Sequence, residues 1–449
     1  MFSALGVLFA ILFVFVLITR RQHFIWCVAI AMPFFDSAMI TIGAFSISPY
    51  YFALLLLVVT EAFDSLRNSS RPGSRESRTD LATILLAAFT LWSTLITAVG
   101  PTLFRGMRVV PSGLGSGDAA IRGAPLDYTI SNLAQVVYLL LNVFLVFYVK
   151  RSHASVLNAL AMGLGIGVLV ASTNAATFIL GVPWPHELFD TSARGLYAND
   201  LSSVTRLRAQ FSEPSHLAAF LVAAIPFFAF YLAFGRRDRS KFMSVVAGIG
   251  LPLAVACLAL ANSGTGIVAS AIVLGSAGLT LAARWALSRR APVAIYMFAP
   301  AIGVALVVAL PRLIDFLSSS ASSKSVSESY LIRSSMDENA IQVVRASLGI
   351  GVGLGSNRAS SLALMLASTI GLIGLILFFA IVIYVIAYAR SSLRPETWML
   401  IGIVVSGVVS FSDFSSPILW LGIAAAYHQK TQIRAKSLDK RSYHEHVLS

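Results

Sequence analysis

The chain has 449 residues, 57% of them hydrophobic and 12% charged, with a formal net charge of +13 and a mean hydropathy of +0.81. A soluble domain of this length needs a far larger charged surface, and a membrane β-barrel carries alternating rather than continuous apolar segments, so both are excluded. The composition predicts an all-α, polytopic membrane bundle of about 12–13 spans.

In chain order the apolar runs cover 1–19, 24–36, 49–63, 81–99, 128–149, 154–180, 214–234, 242–261, 264–283, 292–310, 360–389, 397–411 and 414–427. The first has no basic n-region and no small-residue cleavage site before Arg20 and Arg21, and is read as a retained span. The connecting segments sort by charge. Those after the first, third, fifth, seventh, ninth and eleventh runs, together with the tail, hold 22 of the 33 Lys plus Arg and mark the cytoplasmic face. The opposite face holds 12 of the 20 acids. A single membrane domain over 1–427 and a basic cytoplasmic tail over 428–449 follow from this partition. The basic balance is thus a topology signal and an attraction to anionic inner-leaflet lipid. It is no sign of nucleic acid, and no nucleic-acid motif accompanies it. Cys27 and Cys257 lie in separate apolar runs and read as small core residues rather than a disulfide or metal pair.

Chemistry is sought in the three longer outer segments, 100–127, 181–213 and 311–359, because function concentrates in loops on a rigid scaffold. The first carries Arg105, Arg108, Asp118, Arg122 and Asp127 in no informative spacing and reads as a solvated linker. The second ends in Arg206-Leu-Arg-Ala-Gln-Phe-Ser-Glu-Pro-Ser-His216 at the mouth of an apolar run. Ionisable groups there are costly unless paired, hydrated or used. Pro214 suits a first helical position, Ser212 a cap, and Glu213 the positive end of the helix dipole. In the third, Tyr330 to Leu348 reads as a helix bearing an Arg333–Asp337 i,i+4 pair, with Arg345 too far round the helix to join Arg333 on one small group. Gly349-Ile-Gly-Val-Gly-Leu-Gly355 ends it. This permissive backbone, which includes Gly353, would let peptide N–H groups approach an anion.

At these residues the chain resembles the O-antigen polymerase and ligase family of bacterial polysaccharide enzymes, over roughly 206–374. Arg206-Leu-Arg-Ala-Gln-Phe-Ser-Glu-Pro-Ser is similar to the family's Arg-x-x-Gly-x-Phe-x-(Glu/Asn)-Pro-(Ser/Asn) motif, with Ala209 in place of the glycine. Ala261-Asn-Ser-Gly-Thr-Gly266 resembles its Ser-Arg-Thr-Gly turn without the arginine. Arg333, then Gly351-Val-Gly-Leu-Gly355 and Gly371-Leu-Ile-Gly374, resembles the third block. The ligase branch carries a His-Asn pair where this chain has Ser360 and Ser361, and Glu-Pro-Ser is closer to the polymerase branch.

The resemblance implies a C-type glycosyltransferase-like fold in the bacterial plasma membrane. Such an enzyme transfers a glycan from an undecaprenyl-pyrophosphate donor to a lipid-linked acceptor on the outer face, without metal or cofactor. The lipid-linked donor and acceptor and a chain-length regulator are the partners it implies. On this reading Arg206 and Arg333 clamp the pyrophosphate, because guanidinium forks bind its oxygens bidentately, and Glu213 is the base. Arg208, His216, Arg345 and Gly353 are assigned to substrate binding. A ligase-type transferase is the alternative within the family. A lipid-linked-oligosaccharide flippase is the alternative from another class; it would need midplane charges and repeated halves, which the sequence lacks.

Overall fold

The computed structural model describes residues 1–43, 45–67, 80–111, 123–151, 156–191, 206–234, 240–288, 328–388 and 394–428. These are mostly helical, because hydrocarbon forces each segment to satisfy its own backbone N–H and C=O groups. The helices are α1 (Ala4–Thr19), α2 (Phe24–Ala31), α3 (Pro49–Arg67), α4 (Leu81–Leu103), α5 (Ile130–Arg151), α6 (Val156–Leu180), the short α7 (His186–Phe189), α8 (Pro214–Phe234), α9 (Lys241–Ala261), α10 (Gly264–Ser288), α11 (Glu328–Ala346), α12 (Leu362–Tyr388), α13 (Pro395–Ser410) and α14 (Pro417–His428). Two small antiparallel ladders interrupt them: β1 (Ile40–Ile42) on β2 (Phe45–Ile47), and β3 (Arg108–Val109) on β4 (Ala124–Pro125).

Among the described residues seven helices are long and apolar enough to cross a membrane: α3, α4, α5, α6, α8, α9 and α12. The chain is a multi-pass membrane protein, with seven full-length spans among the described residues. Helices α1 and α13 have 16 residues each, about 24 Å of rise against a hydrocarbon core of ~30 Å. The expected run at 292–310 lies outside the described residues, as does the tail beyond His428.

Local chemistry sets the boundaries. Asp80 caps α4 by accepting the Thr83 N–H at 3.1 Å, and Ser3 caps α1 by accepting that of Gly6 at 2.8 Å. Asn262, with φ 42°, ends α9 in a left-handed cap. The core centres on α8, whose side chains from Leu217 to Phe228 are buried, flanked by α9, α10 and α13. Cys27 and Cys257 are both buried and unpaired as thiols, in keeping with small core residues.

Among the described residues, some of the segments assigned to one face by charge contact one another. At the basic end Arg21 pairs with Asp64 at 2.7 Å, and Lys150 donates to the Tyr427 hydroxyl at 2.8 Å beside Asp80. At the opposite end the segment after α2, the start of α8, the glycine-rich loop and the α13–α14 turn converge. The 100–127 segment departs from a solvated linker there. Val109 and Leu126 are buried with Val343 and Val352, and Arg105 faces Asp127 at 3.8 Å on the surface. Asp118 and Arg122 lie outside the described residues.

Candidate functional site

The converging end encloses a cavity of about 180 Å³, lined by aromatic rings, hydroxyls and amides around Asp36, His216, Arg358 and Asp413. Each comes from a different part of the chain. Asp36 follows α2, His216 opens α8, Arg358 follows the glycine-rich loop, and Asp413 sits in the turn between α13 and α14. Concave pockets that mix apolar walls with a few convergent polar groups are the usual places for ligands.

His216 and Asp36 form the fixed pair of the cavity. Asp36 Oδ2 lies 3.1 Å from His216 Nδ1 and also accepts the N–H and the hydroxyl of Ser212, each at 2.8 Å. An aspartate acceptor requires the imidazole proton on Nδ1, leaving Nε2 as the ring nitrogen without a hydrogen bond among the described residues. Phe35 stacks on the ring at 6.3 Å and Phe411 meets it edge-on at 5.0 Å, which fixes its orientation. Burial pushes the Asp36 carboxyl up. The charge of His216 and the bonds from His216 and Ser212 outweigh that and hold it below the usual carboxylate range. Ser212 therefore serves Asp36 rather than capping α8, although α8 does begin at Pro214.

Asp413 has the opposite environment. One oxygen, Oδ1, accepts the N–H of Ser415 at 2.9 Å and its hydroxyl at 2.7 Å. Burial and the nearby Asp36 charge push this carboxyl above the usual range, against Ser415 and His216, which pull it down. Two carboxylates of one cavity are thus driven apart in acidity.

Arg333 does not line the cavity but bonds Glu213, the neighbour of the lining Ser212. Its Nη2 donates to Glu213 Oε2 at 3.4 Å and its Nη1 to the Ser410 hydroxyl at 3.0 Å. Glu213 also accepts the Ser215 hydroxyl at 2.9 Å. Burial raises its carboxyl, and the charges of His216, Arg333 and Arg358 with the Ser215 bond bring it below the usual range. The expected Arg333–Asp337 pair does not form; Asp337 instead accepts the Ser360 N–H at 2.7 Å and its hydroxyl. Tertiary partners outcompete an exposed i,i+4 pair worth a few tenths of a kcal/mol, about 0.2–0.5.

The other expected site residues are elsewhere. Arg206 is exposed, does not line the cavity, and makes no hydrogen bond or ion pair among the described residues. Arg208 is buried and already engaged. Its Nη1 donates to Asp190 Oδ1 at 2.8 Å, and its Nη2 to Asp190 Oδ2 and to His186 Nδ1 at 2.8 Å. This departs from a substrate-binding role, because the fork that would grip a phosphate is filled by a carboxylate. Burial and the Arg208 charge hold the His186 imidazole below its ordinary range, against the pull of Asp190. Arg345 is exposed on α11 and also outside the cavity lining.

Gly353 is a correction as well. The loop N–H groups are spent internally: Gly351 on Ser347 Oγ, Val352 on Ser368 O, Gly353 on Thr369 O at 2.7 Å, and Leu354 on Thr97 Oγ1. Gly353 has φ 99°, and a Cβ there would stand 3.1 Å from Thr97 Cα. The loop packs between α4 and α12, and the N–H of Gly353 is spent there rather than offered to an anion.

Sequence reasoning passed over Asp36, Arg358 and Asp413. The signal for both acids was there: each is a lone carboxylate beside apolar runs, at Pro33-Phe-Phe-Asp-Ser37 and Phe411-Ser-Asp-Phe-Ser415, and such residues are functional by default in membrane proteins. Arg358 carried no spacing signal. No protein-family model matches the chain, and no curated protein matches it significantly.

Proposed function

We propose that the chain is a polysaccharide polymerase, transferring a glycan from a polyprenyl-pyrophosphate donor to a sugar hydroxyl of a lipid-linked acceptor at the outer face of the bacterial plasma membrane. The observation that carries the reading is the meeting of Arg333, Asp36–His216 and Asp413 at one end of the bundle. In the transfer, the acceptor O–H breaks and its oxygen bonds to C1 of the donor sugar. The C1–O bond to pyrophosphate breaks, with its electron pair leaving on the pyrophosphate. The proton needs an acceptor and the developing phosphate charge needs fixed cations.

Asp413 suits the proton acceptor better than Glu213. A carboxylate pushed above the usual range is the more basic and accepts a proton more readily than one held below it by His216 and Arg333. The pair Asp36–His216 stays charged or hydrogen-bonded and fixes the wall against which the acceptor lies. Support for the resemblance comes also from Ala209: it stands where the family carries glycine, and its φ of 52° is the left-handed conformation that glycine adopts most easily. The test is direct. Membranes holding the chain, given purified lipid-linked repeat units, are expected to produce a ladder of longer glycans. Appearance of lumenal substrate without any new glycosidic bond would instead mean transport.

A further inference from the structure

We propose that Arg358 is the diphosphate-binding guanidinium of the cavity, partner to Arg333 in place of Arg206. Arg358 is half-buried and lines the cavity, yet its side chain makes no hydrogen bond and no ion pair among the described residues. A guanidinium carries five N–H donors in a rigid fork, and withdrawing it partly from water without a partner is costly. The adjoining carboxylates do not take it. Asp36 is held by His216 and Ser212, and Asp413 by Ser415, while Glu213 feels the Arg358 charge but bonds Arg333 and Ser215.

The backbone that carries Arg358 is stapled on three sides. Its own N–H donates to Val110 O at 2.8 Å. The preceding Asn357 accepts the Val110 N–H at 2.8 Å and donates to the Ser368 hydroxyl at 3.1 Å. Ser360, two residues on, is bound through its N–H by Asp337 of α11, the helix that also bears Arg333. Such a mount fixes the backbone from which the guanidinium reaches the cavity, which lowers the ordering cost of binding. A guanidinium with no side-chain partner among the described residues, whose charge acts on the same Glu213 that Arg333 bonds, fits an oxyanion ligand, and a diphosphate spans two such forks. The inference rests on the glycan-transfer reading for which anion is bound, and on geometry for which residue binds it.

The test uses the full chain in nanodiscs of neutral phosphatidylcholine, titrated separately with farnesyl pyrophosphate and inorganic pyrophosphate. The wild type is expected to bind the lipid diphosphate, and Arg358→Gln to weaken it about ten- to hundredfold, the loss of a charge-assisted hydrogen bond. Arg358→Lys should fall between the two, because charge is kept and the fork lost. Lys241→Gln, at the opposite end, should bind as the wild type does. Equal weakening for both probes assigns Arg358 to the diphosphate itself, and weakening of the farnesyl compound alone assigns it to the lipid-borne form. If Arg358→Gln and Arg358→Lys both bind like a diphosphate-binding wild type, the assignment of Arg358 is overturned while the glycan-transfer reading stands. A wild type that binds neither probe removes the donor class and that reading with it.

Discussion

The imidazole of His216 and the carboxylate of Asp36 stand 180 positions apart in the chain and 3.1 Å apart in space. Their pairing brings the start of α8 against the segment after α2 and closes one wall of the cavity. Side-chain exposure is 11% for Asp36 and 23% for His216, so the pair is shielded enough for its loss to be felt. Asp36→Asn is expected to lower stability by about 3 kcal/mol, measured by thermal unfolding in detergent. The pH dependence follows from the direction of the shift. A carboxyl held below its unfolded value contributes stability above that unfolded value, about 3.9, and loses it as pH falls through the folded one. The gap between wild type and Asp36→Asn should therefore be fully open at about pH 5 to 6 and close on further acidification. A gap that widened on acidification would contradict the pairing.

Asp413 makes the opposite prediction. Its carboxyl is pushed up on folding, so the ionised form costs stability, and that cost grows as pH rises from the unfolded value through the folded one. Asp413→Asn should consequently leave the melting temperature unchanged or raise it. Glycan-ladder synthesis by the same variant should drop about 10²–10⁴-fold, the range of a lost proton acceptor. Loss of both activity and melting temperature would mark Asp413 as a structural residue instead.

The arginines separate by environment. Arg333 and Glu213 are 36% and 45% exposed, so breaking that pair should cost at most about 1 kcal/mol of stability. Arg333→Lys should still cut polymer synthesis at least about tenfold, because it keeps charge and loses the fork. Arg206→Lys should have the smaller effect. The reverse order in a polymerisation assay would restore Arg206 to the clamp.

Arg208 is expected to act on stability. Arg208→Ala would strand the Asp190 carboxylate, whose exposure is 15%, at a cost of about 3–5 kcal/mol. Expression and melting temperature should both fall. A variant with wild-type melting behaviour and altered donor binding would show that Arg208 turns toward substrate.

Gly371 interrupts α12 with φ 73° and ψ −179°, and a Cβ on it would lie 2.2 Å from Ile350 O. Gly371→Ala should destabilise by well over about 1 kcal/mol and loosen the seat of the glycine-rich loop. Gly248→Ala in α9, where a Cβ meets nothing within 4 Å, should be neutral or slightly stabilising. Thermal unfolding of the two variants side by side checks the contrast.

The sequence by itself determined the helical, multi-pass character, because hydropathy acts locally along the chain. It placed α8 at Pro214 and ended α11 at the glycine-rich run, since proline and glycine constrain backbone wherever they occur. The partners of the ionisable groups were decided by tertiary structure alone. Arg333 chose Glu213 over its helical neighbour Asp337, Arg208 chose Asp190, and Asp36 came to His216. In a medium that penalises every unpaired charge, packing settles which cation meets which anion across the bundle. Arg358 is the consequence of that settlement: a half-buried cation that the fold mounts in the cavity and that meets no acid among the described residues.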